Sequence, residues 1–85
     1  MYRVGLSPAA LREARRLPPR EKERIDRALA ELAENPRPSG VRKLRGMEGY
    51  RLRVGDYRIL YEVDESVEEV TVWRIMSRSD VYRRR

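Results

Sequence analysis

Hydrophobic and polar positions change period along this chain, and each change marks an element. Residues 1–6 alternate, with Tyr2, Val4 and Leu6 set against Arg3 and Gly5, which predicts a short strand. Ser7-Pro8 follows, a hydroxyl suited to cap a helix and a proline suited to its first position. Ala10, Ala14 and Leu17 give that helix a narrow apolar stripe, and Pro18-Pro19 breaks it and starts a second. There Ile25, Ala28, Leu29, Leu32 and Ala33 recur at the i, i+3, i+4, i+7, i+8 spacing of a core-facing helix. Its outer face sets Glu23, Arg27 and Glu31 at i,i+4 spacing, which predicts two supporting ion pairs. Asn35-Pro36 ends it.

Beyond residue 36 the period falls to two. Residues 37–49 read as a loop leading into a strand, and residues 50–61, YRLRVGDYRILY, read as two strands joined by Gly55-Asp56. Counting outward from that turn pairs Val54 with Tyr57, Arg53 with Arg58, Leu52 with Ile59 and Tyr50 with Tyr61. Tyr50, Leu52, Val54, Tyr57, Ile59 and Tyr61 then share an apolar face, and Arg51, Arg53 and Arg58 share the other. A turn around residues 64–67 leads to a last strand at about 69–77. It is apolar at both parities (Val70 and Val72; Trp73 and Ile75), which reads as a strand covered on both sides and leaves its inward face unassigned. Residues 79–82 suit a short final helical turn capped by Ser79.

The predicted order is β-α-α-β-β-β with an optional short helix. This is an α+β fold with two N-terminal helices packed on a mostly antiparallel four-stranded sheet, in one domain spanning residues 1–85.

Composition narrows the chemistry. The 85 residues hold neither cysteine nor histidine, so there is no disulfide framework, no thiolate site and no side chain that titrates near neutrality unaided. Any chemistry is expected to need no metal or cofactor. The lack of cysteine suits a reducing cytoplasm, and no apolar run or signal-peptide pattern points to a membrane.

The net charge of +6 favours a polyanionic partner, and its distribution says where. Arg42, Lys43, Arg45, Arg51, Arg53 and Arg58 face only Glu48 and Asp56 within their own segment, and Arg74, Arg78 and Arg83–Arg85 crowd the C-terminal end around Asp80. Arginines directly opposite on two strands repel. A phosphate between Arg53 and Arg58 removes that penalty. The alternative is a solvated surface where Arg51 and Arg53 pair with acids such as Glu62.

Lys43-Leu44-Arg45-Gly46, Tyr50-Arg51-x-Arg53, Gly55-Asp56-Tyr57-Arg58-x-x-Tyr61 and Arg78-x-x-x-Tyr82, in that order, resemble the RelE family of the RelE/ParE toxin–antitoxin superfamily across essentially the whole chain. The resemblance implies a microbial-ribonuclease-like architecture and cleavage of mRNA in the ribosomal A site without a metal. It places the family's catalytic positions on Arg51, Arg53, Arg58, Arg78 and Tyr82. It also implies a RelB-like antitoxin partner, with a toxin–antitoxin complex that binds operator DNA. Many relatives have Gly-His-Arg where this chain has Met76-Ser77-Arg78.

RNA brings its own nucleophile, the 2′-hydroxyl beside the scissile phosphate. Arginine forks suit the phosphorane, since they stay charged and donate in pairs to phosphate oxygens. Arg58 is the expected clamp and Arg51 and Arg53 position the backbone, with Tyr82 the candidate base and Arg78 the candidate acid. Ordinary tyrosine and arginine titrate far from neutrality, at about 10 and above 12, so such a pair depends on substrate alignment. Arg42, Lys43, Arg45, Arg74 and Arg83 are the expected further RNA and ribosomal-RNA contacts. The basic tail is equally readable as a frayed end, and Tyr82 as C-terminal packing. A ParE-like gyrase poison and an inactive antitoxin- or RNA-binding relative remain the competing functions.

Overall fold

The computed structural model describes residues 1–77. Its elements are β1 (Arg3–Leu6), α1 (Pro8–Arg15), α2 (Pro19–Glu34), β2 (Arg42–Lys43), β3 (Tyr50–Val54), β4 (Tyr57–Asp64) and β5 (Glu69–Ser77). They form one five-stranded sheet in the order β1-β5-β4-β3-β2, antiparallel throughout except that β1 runs parallel to β5. The α+β class and element order are as expected. The sheet gains a fifth, two-residue strand, β2, from the segment read as a loop. A strand that short has no periodicity to betray it. The expected helical turn at residues 79–82 lies outside the described residues.

Both helices lie on one face of the sheet. Ala10 and Ala14 of α1 and Ile25, Ala28 and Leu32 of α2 are buried against Leu52, Ile59, Tyr61, Val70, Val72 and Ile75. Ser7 joins three elements at once. Its hydroxyl accepts from the Ala10 amide (3.1 Å), capping α1 as its place before proline predicts, and donates to the Trp73 carbonyl (2.7 Å). Its own amide donates to the Val72 carbonyl (2.9 Å).

Because β1 pairs with β5 only as far as Val72, the β5 edge beyond it would be left bare. Glu13 of α1 covers it. One carboxylate oxygen accepts from the Ile75 amide (2.7 Å), and the other accepts from Nε (2.9 Å) and Nη2 (2.6 Å) of Arg74. On α2 the ion pairs are Lys22–Asp26 and Glu21–Arg24, not the expected Glu23–Arg27 and Arg27–Glu31. Spacing permits such pairs, but exposed side chains choose among neighbours of nearly equal energy.

The mixed parity of β5 has a local cause. The β4 partners step from Leu60 to Tyr61 while the β5 partners step from Arg74 to Val72, leaving Trp73 unopposed in a bulge. The bulge shifts the phase of the strand, so Val70, Val72 and Ile75 all reach the helix-side core. β5 is covered on both sides as read, since Met76, opposite Arg58, is buried on the other face, and the bulge settles that Val70, Val72 and Ile75 are its helix-side residues. The Trp73 ring lies so close to Gly49 that a Cβ there would stand 2.8 Å from it.

The loop after α2 is tied to the same face by tyrosines. The Asn35 side chain accepts from the Arg37 amide (3.1 Å) to close the turn. The Tyr61 hydroxyl donates to the Pro36 carbonyl (2.7 Å), and Arg37 bonds both the Tyr50 hydroxyl (2.9 Å) and Glu65 (2.6 Å). Tyr61 is fully buried, and burial pushes its phenol up to about 12.

Candidate functional site

The β3–β4 hairpin forms as its turn dictates. Gly55 has a φ of 60° and Asp56 does not follow it into the positive region, the pattern of a tight type II′ connection. A two-residue turn leaves one register, and the observed pairs are those counted from the sequence: Val54–Tyr57, Arg53–Arg58, Leu52–Ile59 and Tyr50–Tyr61. Alternation then sends Leu52, Ile59 and Tyr61 into the core and Arg51, Arg53 and Arg58 to the opposite face.

β2 extends that face by one residue pair. Arg42 lies opposite Arg51, so two like-charged pairs, Arg42–Arg51 and Arg53–Arg58, sit side by side on three neighbouring strands. Together with Gly40 these four arginines line a cavity of about 270 Å³. Arg51 and Arg58 are half-buried, whereas Arg42 and Arg53 are exposed. Among the described residues none of the four makes an ion pair. The alternative pairing of Arg51 and Arg53 with Glu62 does not form.

Elsewhere the arginines are mixed: Arg12, Arg20 and Arg27 on the helices likewise make no ion pair among the described residues, whereas three others near the sheet do. Arg3 pairs with Glu69, Arg37 with Glu65 and Arg74 with Glu13. Like charges directly opposite on neighbouring strands cost stability, by about 0.2–1 kcal/mol for each opposed pair. A bound polyanion would supply the missing countercharge.

The remaining expected contacts divide into three groups. Lys43 and Arg45 flank a wide neighbouring hollow of about 610 Å³, which Arg42 and Arg51 also line, but Lys43 pairs with Tyr50 and so by alternation leaves the sheet on the tyrosine side. Arg74 lies on β5, outside the three strands that carry the four arginines, is engaged by Glu13 of α1 and does not line the arginine cavity. Arg78, Tyr82 and Arg83 lie outside the described residues. Among the described residues no group of three or more His, Cys, Asp or Glu side chains gathers to hold a metal. Sequence reasoning missed Gly40, whose φ of 89° turns the 38–40 loop over the cavity. Its only signal was the turn-prone run Pro38-Ser39-Gly40.

The sequence model of a family described as the ParE toxin of type II toxin–antitoxin systems, parDE, matches residues 4–82. The chain belongs to the RelE/ParE family of type II toxins. Toxin RelG of Mycobacterium tuberculosis is 33% identical to this RelE/ParE toxin over 85 residues, covering 98% of each chain. In the archaeal RelE–RelB complex from Pyrococcus horikoshii, a chain superposes with a TM-score of 0.82 at 28% identity, covering 91% of this chain and 94% of that one. The intact Escherichia coli RelBE toxin–antitoxin complex gives 0.80 at 30% identity, covering 91% and 96%. Two helices on one face of a mostly antiparallel sheet is thus the shared toxin architecture. No helix among the described residues is long and apolar enough to cross a membrane.

Proposed function

We propose that this RelE/ParE toxin is a ribosome-dependent endoribonuclease that cuts mRNA in the A site. The observation that carries the reading is the set of four arginines that, among the described residues, have no carboxylate partner and stand on the sheet face opposite α1 and α2. Arg58, half-buried and opposed by Arg53, is the clamp on the scissile phosphate, and Arg51 and Arg53 hold the backbone in line. The 2′-oxygen attacks phosphorus as Tyr82, in its phenolate form, accepts the 2′-hydroxyl proton and becomes the neutral phenol. The 5′-oxygen leaves with a proton from Arg78, giving a 2′,3′-cyclic phosphate and a 5′-hydroxyl. Neither group is an ordinary acid or base near neutrality, so alignment by the ribosome provides what acid–base strength does not. A RelB-like antitoxin restrains the toxin, in keeping with the RelE–RelB and RelBE complexes of its structural neighbours.

A gyrase poison is the second reading, favoured by the ParE name of the matching family. Primer extension on a defined mRNA separates the two. The endonuclease cuts within the A-site codon only when ribosomes with an empty A site are present. No cut in either lane, beside a working control toxin, removes the endonuclease reading, and a DNA-cleavage assay with purified gyrase then tests the other.

A further inference from the structure

The arginine face is longer than one phosphate needs. A single scissile phosphate is served by Arg53 and Arg58, which face each other across β3 and β4. Arg42 and Arg51 form a second pair of the same kind, one step toward the β2 edge of the sheet. Arg51 and Arg53 are two residues apart on one strand, so their side chains leave the same face about 6.7 Å apart. That is the scale of one nucleotide step along an extended single strand. The same cavity of about 270 Å³ touches both pairs, with no acidic side chain among the described residues that line it. A wall of this composition fits a chain of phosphates better than an isolated anion.

We infer that Arg42 and Arg51 form a second phosphate seat, which holds the phosphate adjacent to the scissile one and sets the path of the single strand across the sheet. This inference rests on the ribonuclease reading above, whose own clamp is Arg58. It assigns to Arg42 a positioning task in ground-state binding. The seat is open on its outer side, since β2 is the sheet edge and Arg42 is exposed. Arg42 is thus free to be exchanged without disturbing the core.

The test titrates the purified full-length toxin with uncleavable 2′-O-methyl oligouridylates carrying one, two or three phosphates, followed by NMR at several salt concentrations. For the wild type, the second phosphate is expected to tighten binding roughly fivefold, as suits an exposed charge-assisted contact. The salt slope should steepen by about 0.7 for that added phosphate. Arg42→Gln should erase both gains while leaving the one-phosphate ligand unaffected, and Arg42→Lys should retain the slope. Arg12→Gln, on the far helix, controls for loss of bulk charge. If wild type and Arg42→Gln gain equally from the second phosphate, and Arg58→Gln still weakens every ligand, the second seat is wrong and the ribonuclease reading survives. If no oligonucleotide binding responds to Arg58→Gln or to Arg42→Gln, both are wrong.

Discussion

The two faces of the β3–β4 hairpin share a backbone and differ in everything else. On the helix side Leu52, Ile59 and Tyr61 are buried beneath α1 and α2, and the one buried hydroxyl, on Tyr61, has its partner on Pro36. On the other side Arg51, Arg53 and Arg58 oppose one another or Arg42, and no carboxylate of the described residues lines their cavity. Two other arginines of the same sheet do find partners, Arg3 with Glu69 and Arg74 with Glu13. Acids do stand at the hairpin, Asp56 in its turn and Glu62 on β4, but among the described residues neither pairs with these arginines. One face is arranged for stability. The other keeps charge available at some cost to it.

Adjacent substitutions on β4 offer the sharpest way to break this contrast. Ile59→Ala opens the core beneath the helices and should cost about 2–5 kcal/mol in denaturant unfolding. Arg58→Ala, one residue earlier, should lower A-site cleavage by about 10²–10³-fold, the loss of one preorganised donor, with unfolding nearly unchanged. If Arg58→Ala also destabilises by several kcal/mol, the two faces are not separate in function.

Tyr61→Phe tests the buried face more gently. It leaves the Pro36 carbonyl without its donor and should cost about 1–3 kcal/mol. It should also alter the alkaline limb of stability. The folded phenol, raised to about 12 chiefly by burial, holds its proton more tightly than the unfolded one at about 10. Its contribution is therefore complete below pH about 10 and is lost as pH rises toward about 12. A urea midpoint followed across that window should fall for wild type and fall less for Tyr61→Phe. The smallest effect has the opposite sign. Arg53→Thr removes one member of an opposed cationic pair and should raise stability by about 0.2–1 kcal/mol while weakening RNA binding.

Where one interaction dominates locally, the sequence is readable. Ser7-Pro8 starts α1 because a hydroxyl before a proline both satisfies an orphan amide and sets φ. Gly55-Asp56 sets the hairpin register because a two-residue turn admits one pairing, and the arginine face follows from alternation alone. The inward face of β5 was not readable, since one bulged residue, Trp73, reverses the alternation that any pattern count assumes. The α2 ion pairs were misassigned because several exposed partners compete within a few tenths of a kcal/mol, about the worth of each pair.

By itself, then, the sequence determined the fold class, the helix starts, the hairpin register and the side of the sheet on which Arg51, Arg53 and Arg58 stand. These depend on contacts between residues near in the chain. Tertiary structure alone decided that Arg42 completes a second pair with Arg51, that Gly40 walls the cavity, and that Glu13 takes Arg74 away from it. Glu13 and Arg74 are 61 residues apart, and no local pattern records a meeting that exists only once α1 has packed on the open edge of β5.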